Sequence, residues 1–151
     1  MSSTTETALM SLLAPLSGQA VPLEQVPDDV FSQKILGDGI AIIPADGKLY
    51  APVDGEIASI AETLHAYGFT SENGMEILVH VGLDSVALKG EGFKSHVQLG
   101  DKVKKGQLIA EVDLKFLESK GVPTITPVLI CEGAEDLKMN TITGNVRAGK
   151  D

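Results

Sequence analysis

The sequence predicts an all-β domain, and three observations carry that prediction. Apolar runs are short, four to eight residues, and turn residues drawn from 16 glycines and 7 prolines separate them. Tryptophan is absent, and a single stretch has helical spacing. Short apolar runs bounded by Gly, Pro and Asp are the pattern of strands joined by tight turns. A chain of 151 residues, 43% of them hydrophobic, has enough apolar material for one folded core.

Residues 1–14 are expected to form a flexible N-terminal tail, polar over 2–7 and compatible with a short helical turn over Ala8 to Ala14; the domain proper is expected to span 15–151. From Leu16 to Val53, turns at Pro27-Asp28-Asp29, Gly37-Asp38-Gly39 and Ala45-Asp46-Gly47 alternate with apolar stretches such as Ile40 to Ile43. Each turn carries residues that supply positive φ, fixed φ or a local side-chain hydrogen bond. Lys48 to Ile60 reads as strand, Pro-Val-Asp-Gly corner and strand. A second tight corner spans Leu99 to Gln107, before a strand at Leu108 to Val112, and the two corners suggest pseudo-repeated halves. Leu114 to Lys120 is the helical candidate, with Leu114, Leu117 and Phe116 inward, Asp113 as cap and Gly121 as stop. Another short helical turn is expected in Leu83 to Leu88. Cys131, at the end of Pro127-Val128-Leu129-Ile130, reads as a buried strand thiol.

A net charge of −9 excludes general attraction to nucleic acid or anionic lipid and suits a partner with a basic face. One cysteine cannot form an internal disulfide, no run reaches the roughly eighteen apolar residues a bilayer span needs, and the N-terminus lacks the basic start of a signal peptide. The expected location is therefore cytoplasmic, without membrane insertion. No phosphate-binding glycine loop and no G-x-S-x-G elbow is present, which removes nucleotide binding and serine hydrolysis as motif-based readings.

The informative segment is Thr63 to Val86, where His65 and His80 sit on either side of a Ser71-Glu72-Asn73-Gly74 turn. A hairpin folded at that turn brings its arms together, and imidazoles sharing a face would meet. A titratable ring interrupting the apolar run Ile77 to Val81 is costly to bury without a purpose. Gly82, two residues on, would leave the ring open to a partner. Two facing imidazoles suit a nucleophile with a proton partner, or two ligands of a metal, and residue type alone leaves both open.

Nearly end to end, from Pro15-Leu16-Ser17-Gly18 to about Val146, the chain closely resembles the glucose-type IIA components of the bacterial phosphoenolpyruvate-dependent sugar phosphotransferase system. The most specific segment is Gly74-Met75-Glu76-Ile77-Leu78-Val79-His80-Val81-Gly82-Leu83-Asp84-Ser85-Val86, which looks like the family's phosphorylation-site signature. It is joined by Asp38-Gly39-Ile40-Ala41-Ile42, Ala51-Pro52-Val53-Asp54-Gly55, Glu62-Thr63-Leu64-His65-Ala66 and Leu88-Lys89-Gly90-Glu91-Gly92-Phe93. Ser85 stands where the family usually has threonine, with the hydroxyl retained, and Ala61 replaces a larger apolar residue of some relatives.

The resemblance implies an antiparallel β-sandwich of duplicated hybrid motifs with one or two short helical turns, and a phosphohistidine relay in which HPr phosphorylates this domain and a IIB domain takes the phosphate away. His80 matches the phosphorylated residue, through Nε2; His65 matches the second active-site histidine; Thr63, read as sharing a strand face with His65, matches a residue whose hydroxyl bonds that ring. Asp28 and Asp84 match acidic positions that face an arginine of HPr, and read alone they are a turn residue and a helix cap. Phe31, Leu36, Ile40, Ile42 and Leu78 are expected to form an apolar surround shared by successive partners, with core as the plain alternative. No cofactor is required; zinc is implied at His65 and His80 only when a partner carboxylate completes the site. The sugar served, and any regulation of permeases or glycerol kinase, stay open.

Two other readings share the architecture. A biotinyl or lipoyl carrier would match the two corners but needs a hairpin lysine of the Met-Lys-Met kind, which is missing. A zinc hydrolase of the lysostaphin type needs a third ligand and a His-x-His element; the remaining histidine, His96, fits neither and reads as a surface residue.

Overall fold

A computed structural model of the chain describes residues 15–27, 38–72, 74–83, 88–132 and 144–146. The strands are β1 (Gly18–Pro22), β2 (Asp38–Pro44), β3 (Lys48–Tyr50), β4 (Gly55–Ile60), β5 (Ala66–Ser71), β6 (Glu76–His80), β7 (Phe93–Ser95), β8 (Lys102–Val103), β9 (Leu108–Val112), β10 (Thr126–Glu132) and β11 (Gly144–Val146). A 3-10 turn covers Leu23–Gln25 and helix α1 covers Leu114–Ser119. The tail 1–14, Asp28, Phe31, Leu36 and Asp84 lie outside the described residues, as does most of the expected turn over Leu83 to Leu88; Cys131 falls in β10 with its side chain likewise outside them.

Among the described residues two sheets form the sandwich: eight strands in the order β11-β1-β2-β10-β6-β5-β4-β8, and three in the order β3-β9-β7. All strand pairings among the described residues are antiparallel. Ile57, Phe69, Ile77 and Val79 from the large sheet meet Leu49, Ile109 and Ala110 from the small one in the main core. A second apolar cluster, Val21, Leu23, Val26, Ala41, Leu83 and Leu129, covers the other face of the large sheet, with Leu78 packed against it. The centre of the large sheet is thus apolar on both faces. That is why the run from Ile77 to Val81 does not alternate in type even though its side chains alternate in direction.

Register corrects two expected surface residues. Ile40 pairs with Val128, which pairs with Val79, so all three share the core face. Ile40 is packed against the main core and Ile42 is fully buried in it. The period-2 repeat of β2 turns both inward, away from the face that carries His80.

The two corners seen in the sequence meet. The Ala51 N–H donates to the Gln107 carbonyl at 2.8 Å, the Gly106 N–H to the Ala51 carbonyl at 2.9 Å, and the Lys105 N–H to Asp54 Oδ1 at 2.8 Å. Helix α1 forms where its spacing predicts, with Leu117 fully buried and Leu114 and Phe116 half-buried against the core. Gly121, at φ +72°, supplies the left-handed stop.

The Asp113 carboxylate accepts from the Phe116 N–H at 3.1 Å, satisfying a donor of the first helical turn. Replacing Asp113 with alanine should lower stability by about 1 kcal/mol, the usual effect of losing such a cap. The check is a urea unfolding midpoint that falls while the slope stays unchanged; an unshifted midpoint would show the cap to be redundant.

Candidate functional site

His80 is the last residue of β6, and its strand explains its direction. Ile77 and Val79 are buried in the main core, whereas Glu76, Leu78 and His80 take the opposite face in an exposed, half-buried, half-buried sequence. The Nδ1 of His80 lies 2.8 Å from the Gly82 carbonyl oxygen. A carbonyl only accepts, so Nδ1 is the protonated nitrogen and the lone pair of the neutral ring resides on Nε2. Gly82 has φ +76°, a conformation that glycine alone adopts without steric cost, and this turns the carbonyl back to the ring. On a continued strand Gly82 was expected to leave the ring open to a partner. β6 ends at His80, and Gly82 acts through its carbonyl. Its signal in the sequence was a glycine just past an apolar strand, where positive φ is common.

His65 is 8% exposed and sits immediately before β5, in a turn rather than in the strand expected for it. Its ring centroid is 4.8 Å from that of His80, with the planes at 80°, edge to face. Thr63 Oγ1 lies 2.6 Å from His65 Nδ1. Thr63 is also in the turn, so the turn, and not a shared strand face, brings the hydroxyl to the ring. Between them Leu64 has φ +61°, a left-handed conformation that costs a residue with a Cβ about 1–2 kcal/mol. Burial, and next the nearby His80, hold the His65 pKa below its ordinary 6.5, so the ring is neutral near neutral pH.

Of the residues expected at the site, the structure brings together His80, His65 and Thr63, with Leu78 on the same face. His96 is elsewhere: its Nε2 lies 2.7 Å from a Glu111 carboxylate oxygen on the second sheet. Among the described residues no group of three or more His, Cys, Asp or Glu could hold a metal, which a zinc hydrolase would need. A recess of about 610 Å³ lies where the corners meet, lined by Asp54, Glu56, Glu72, Lys102 and Lys104, and neither histidine borders it. Among the described residues no helix is long and apolar enough to cross a membrane.

Residues 10–135 match the family described as phosphoenolpyruvate-dependent sugar phosphotransferase system, EIIA 1. The glucose-specific EIIA component of Oceanobacillus iheyensis is 42% identical over 144 residues, covering 94% of this chain and 87% of that protein. The glucosamine-specific EIICBA component of Bacillus subtilis is 50% identical over 129 residues, and the glucose-specific EIICBA component of Staphylococcus saprophyticus is 47% identical over 121. These matches cover 85% and 80% of this chain but only 20% and 18% of the two EIICBA proteins, so the chain spans about a fifth of their length. The glucose permease IIA structure from Mycoplasma capricolum superposes with a TM-score of 0.88 at 37% identity, over 93% of this chain and 92% of that one. The antiparallel sandwich expected from the sequence is therefore the fold observed and the fold of that permease domain. Matched in sequence over most of its length and in architecture over nearly all of it, the chain belongs to the EIIA 1 family of the phosphoenolpyruvate-dependent sugar phosphotransferase system.

Proposed function

We propose that the domain is a cytoplasmic phosphohistidine carrier that accepts a phosphoryl group from HPr on His80 Nε2 and passes it to a IIB domain during sugar uptake. The observation that carries this reading is the edge-to-face pair of imidazoles with His80 Nδ1 tied to the Gly82 carbonyl. In the transfer the N–P bond of the donor phosphohistidine breaks, returning the electron pair to the donor nitrogen, and the Nε2 lone pair of His80 forms the new N–P bond. The His80 ring then carries positive charge with Nδ1 still protonated, and the Gly82 carbonyl is placed to stabilise it. Phosphoryl transfer has a loose transition state with charge on the peripheral oxygens, so the protein's task is to position groups and supply donors. If the Thr63 hydroxyl donates to His65 Nδ1, the remaining ring proton is on Nε2, where it serves those oxygens.

Leu78, half-buried beside His80, offers apolar contact for a partner, and Asp28 and Asp84 are assigned to pair with an arginine of HPr, as the family resemblance suggests. Zinc fits only in part: two neutral imidazoles are two of the four ligands that a tetrahedral site requires. A partner carboxylate would have to complete it. Since the site handles a phosphoryl group and a protein surface, the sugar is chosen by the transporter that the IIB partner belongs to.

Incubation with phosphoenolpyruvate, the first enzyme of the system and HPr should add a single phosphate that mild acid removes and alkali does not. A phosphoramidate hydrolyses once its nitrogen is protonated, whereas a phosphoserine survives acid. Intact-mass measurement decides it, and an acid-stable phosphate, or none, overturns the reading.

A further inference from the structure

Ladder register poses a geometric problem at His65. β5 and β6 pair Ala66 with His80 and Tyr67 with Val79, so a strand continued by one residue sets His65 opposite Val81. Cross-strand partners share a face. Val81 is fully buried in the main core. Regular alternation would therefore send the His65 ring to the side of the sheet away from His80, yet the rings meet at 4.8 Å. The backbone has not left the ladder altogether, because the Val81 N–H still donates to the His65 carbonyl at 2.7 Å.

The unusual backbone lies one residue earlier. Leu64, at φ +61°, occupies a region that glycine and asparagine favour and that crowds the Cβ of leucine. Its N–H donates to the Ala61 carbonyl at 2.8 Å, and the Ala61 N–H donates to the Ala66 carbonyl at 3.0 Å, closing a small nested loop. Gly90 backs that loop: a Cβ built there would stand 3.8 Å from the Thr63 carbonyl oxygen, in ordinary contact. An unfavourable conformation persists where its surroundings over-determine it, and it is a pointer to function when it adjoins a reactive group.

We propose that Leu64 is a positioning residue whose left-handed backbone folds Thr63 back against His65 and closes the Thr63–His65 hydrogen bond, which holds the ring toward His80. This deepens the phosphocarrier reading and rests on it for its kinetic part alone. The backbone of Leu64, rather than its side chain, sets the orientation and tautomer of the imidazole that faces the phosphoryl group.

The test compares Leu64→Gly and Leu64→Asn, which accept positive φ, with Leu64→Val, whose branched Cβ resists it. Two readouts are taken on the full chain: the ring nitrogen NMR shifts of His65, which report its tautomer, and the rate of phosphoryl transfer from the phosphorylated domain to a IIB domain. Glycine and asparagine should keep the parental His65 shifts and a transfer rate within about twofold of the parent, while valine should shift the His65 signals and slow transfer by about tenfold or more, as loss of an orienting partner does. A folded valine variant with parental shifts and rate overturns the proposal. Should valine prevent folding, the other arms still decide, because shifted ring signals or slowed transfer in the glycine or asparagine variant overturns it equally. If the unmodified domain takes no phosphate on His80, the functional reading fails, while the ring shifts still show whether Leu64 governs His65.

Discussion

Replacing His80 with glutamine is expected to abolish phosphate uptake from HPr, by about 10³-fold or more, the scale on which removal of a nucleophile acts. A glutamine amide has no lone pair able to form the N–P bond. It can still donate a hydrogen bond to the Gly82 carbonyl that His80 Nδ1 now meets at 2.8 Å. His80 lies on the outer face of β6, half-buried, so the core contacts of Ile77 and Val79 are untouched. Stability should therefore change by less than about 1 kcal/mol, in keeping with the net value of one retained or lost hydrogen bond. Intact-mass analysis of the variant after incubation with the relay proteins, alongside its urea midpoint, separates lost chemistry from lost fold. A phosphate on the glutamine variant would move the reaction to another residue.

How far the sequence reaches is seen in the same few residues. Helix α1 was legible because its signals are local: an Asp cap, a three-four spacing and a glycine stop, all within nine residues of chain. The hairpin around Ser71 to Gly74 was legible for the same reason, and the turn closes as expected, with the Gly74 N–H on the Ser71 carbonyl at 2.9 Å. Faces were harder. β2 reads Ile40-Ala41-Ile42-Ile43, and where a sheet is apolar on both sides, residue type does not say which side chains turn outward; register with β10 does, and it sends Ile40 and Ile42 inward. The meeting of the histidines had a further obstacle. Distance from the turn suggests they face each other, but the true register offsets them by one, and Leu64, which folds Thr63 back to His65, takes a conformation that nothing in its side chain announces. The part of Gly82 was hidden for a related reason, since it acts through its backbone carbonyl.

Substituting His65 with glutamine is expected to divide the two half-reactions. Acceptance from HPr should stay within about tenfold of the parent, while delivery to IIB should slow by about 10²–10³-fold, the usual effect of removing one preorganised donor from a developing charge. The same variant should alter the response to acid. Burial, followed by the neighbouring His80, lowers the His65 pKa in the folded chain below the 6.5 of an exposed histidine. As pH falls through 6.5 the unfolded chain gains a proton that the folded chain resists, so this residue makes the fold progressively less stable between 6.5 and its lower folded value, and contributes no such slope above 6.5. Urea midpoints at about pH 7, 6 and 5 should decline less steeply in His65→Gln than in the parent, because glutamine does not titrate. Equal decline in both would show that burial does not hold His65 neutral, and complete loss of acceptance would make it indispensable for receiving the phosphate. The combination expected here, a flatter acid response with delivery impaired and acceptance kept, follows from one physical state: a neutral ring, buried and oriented by Thr63, that donates to oxygens while His80 makes and breaks the bond to phosphorus.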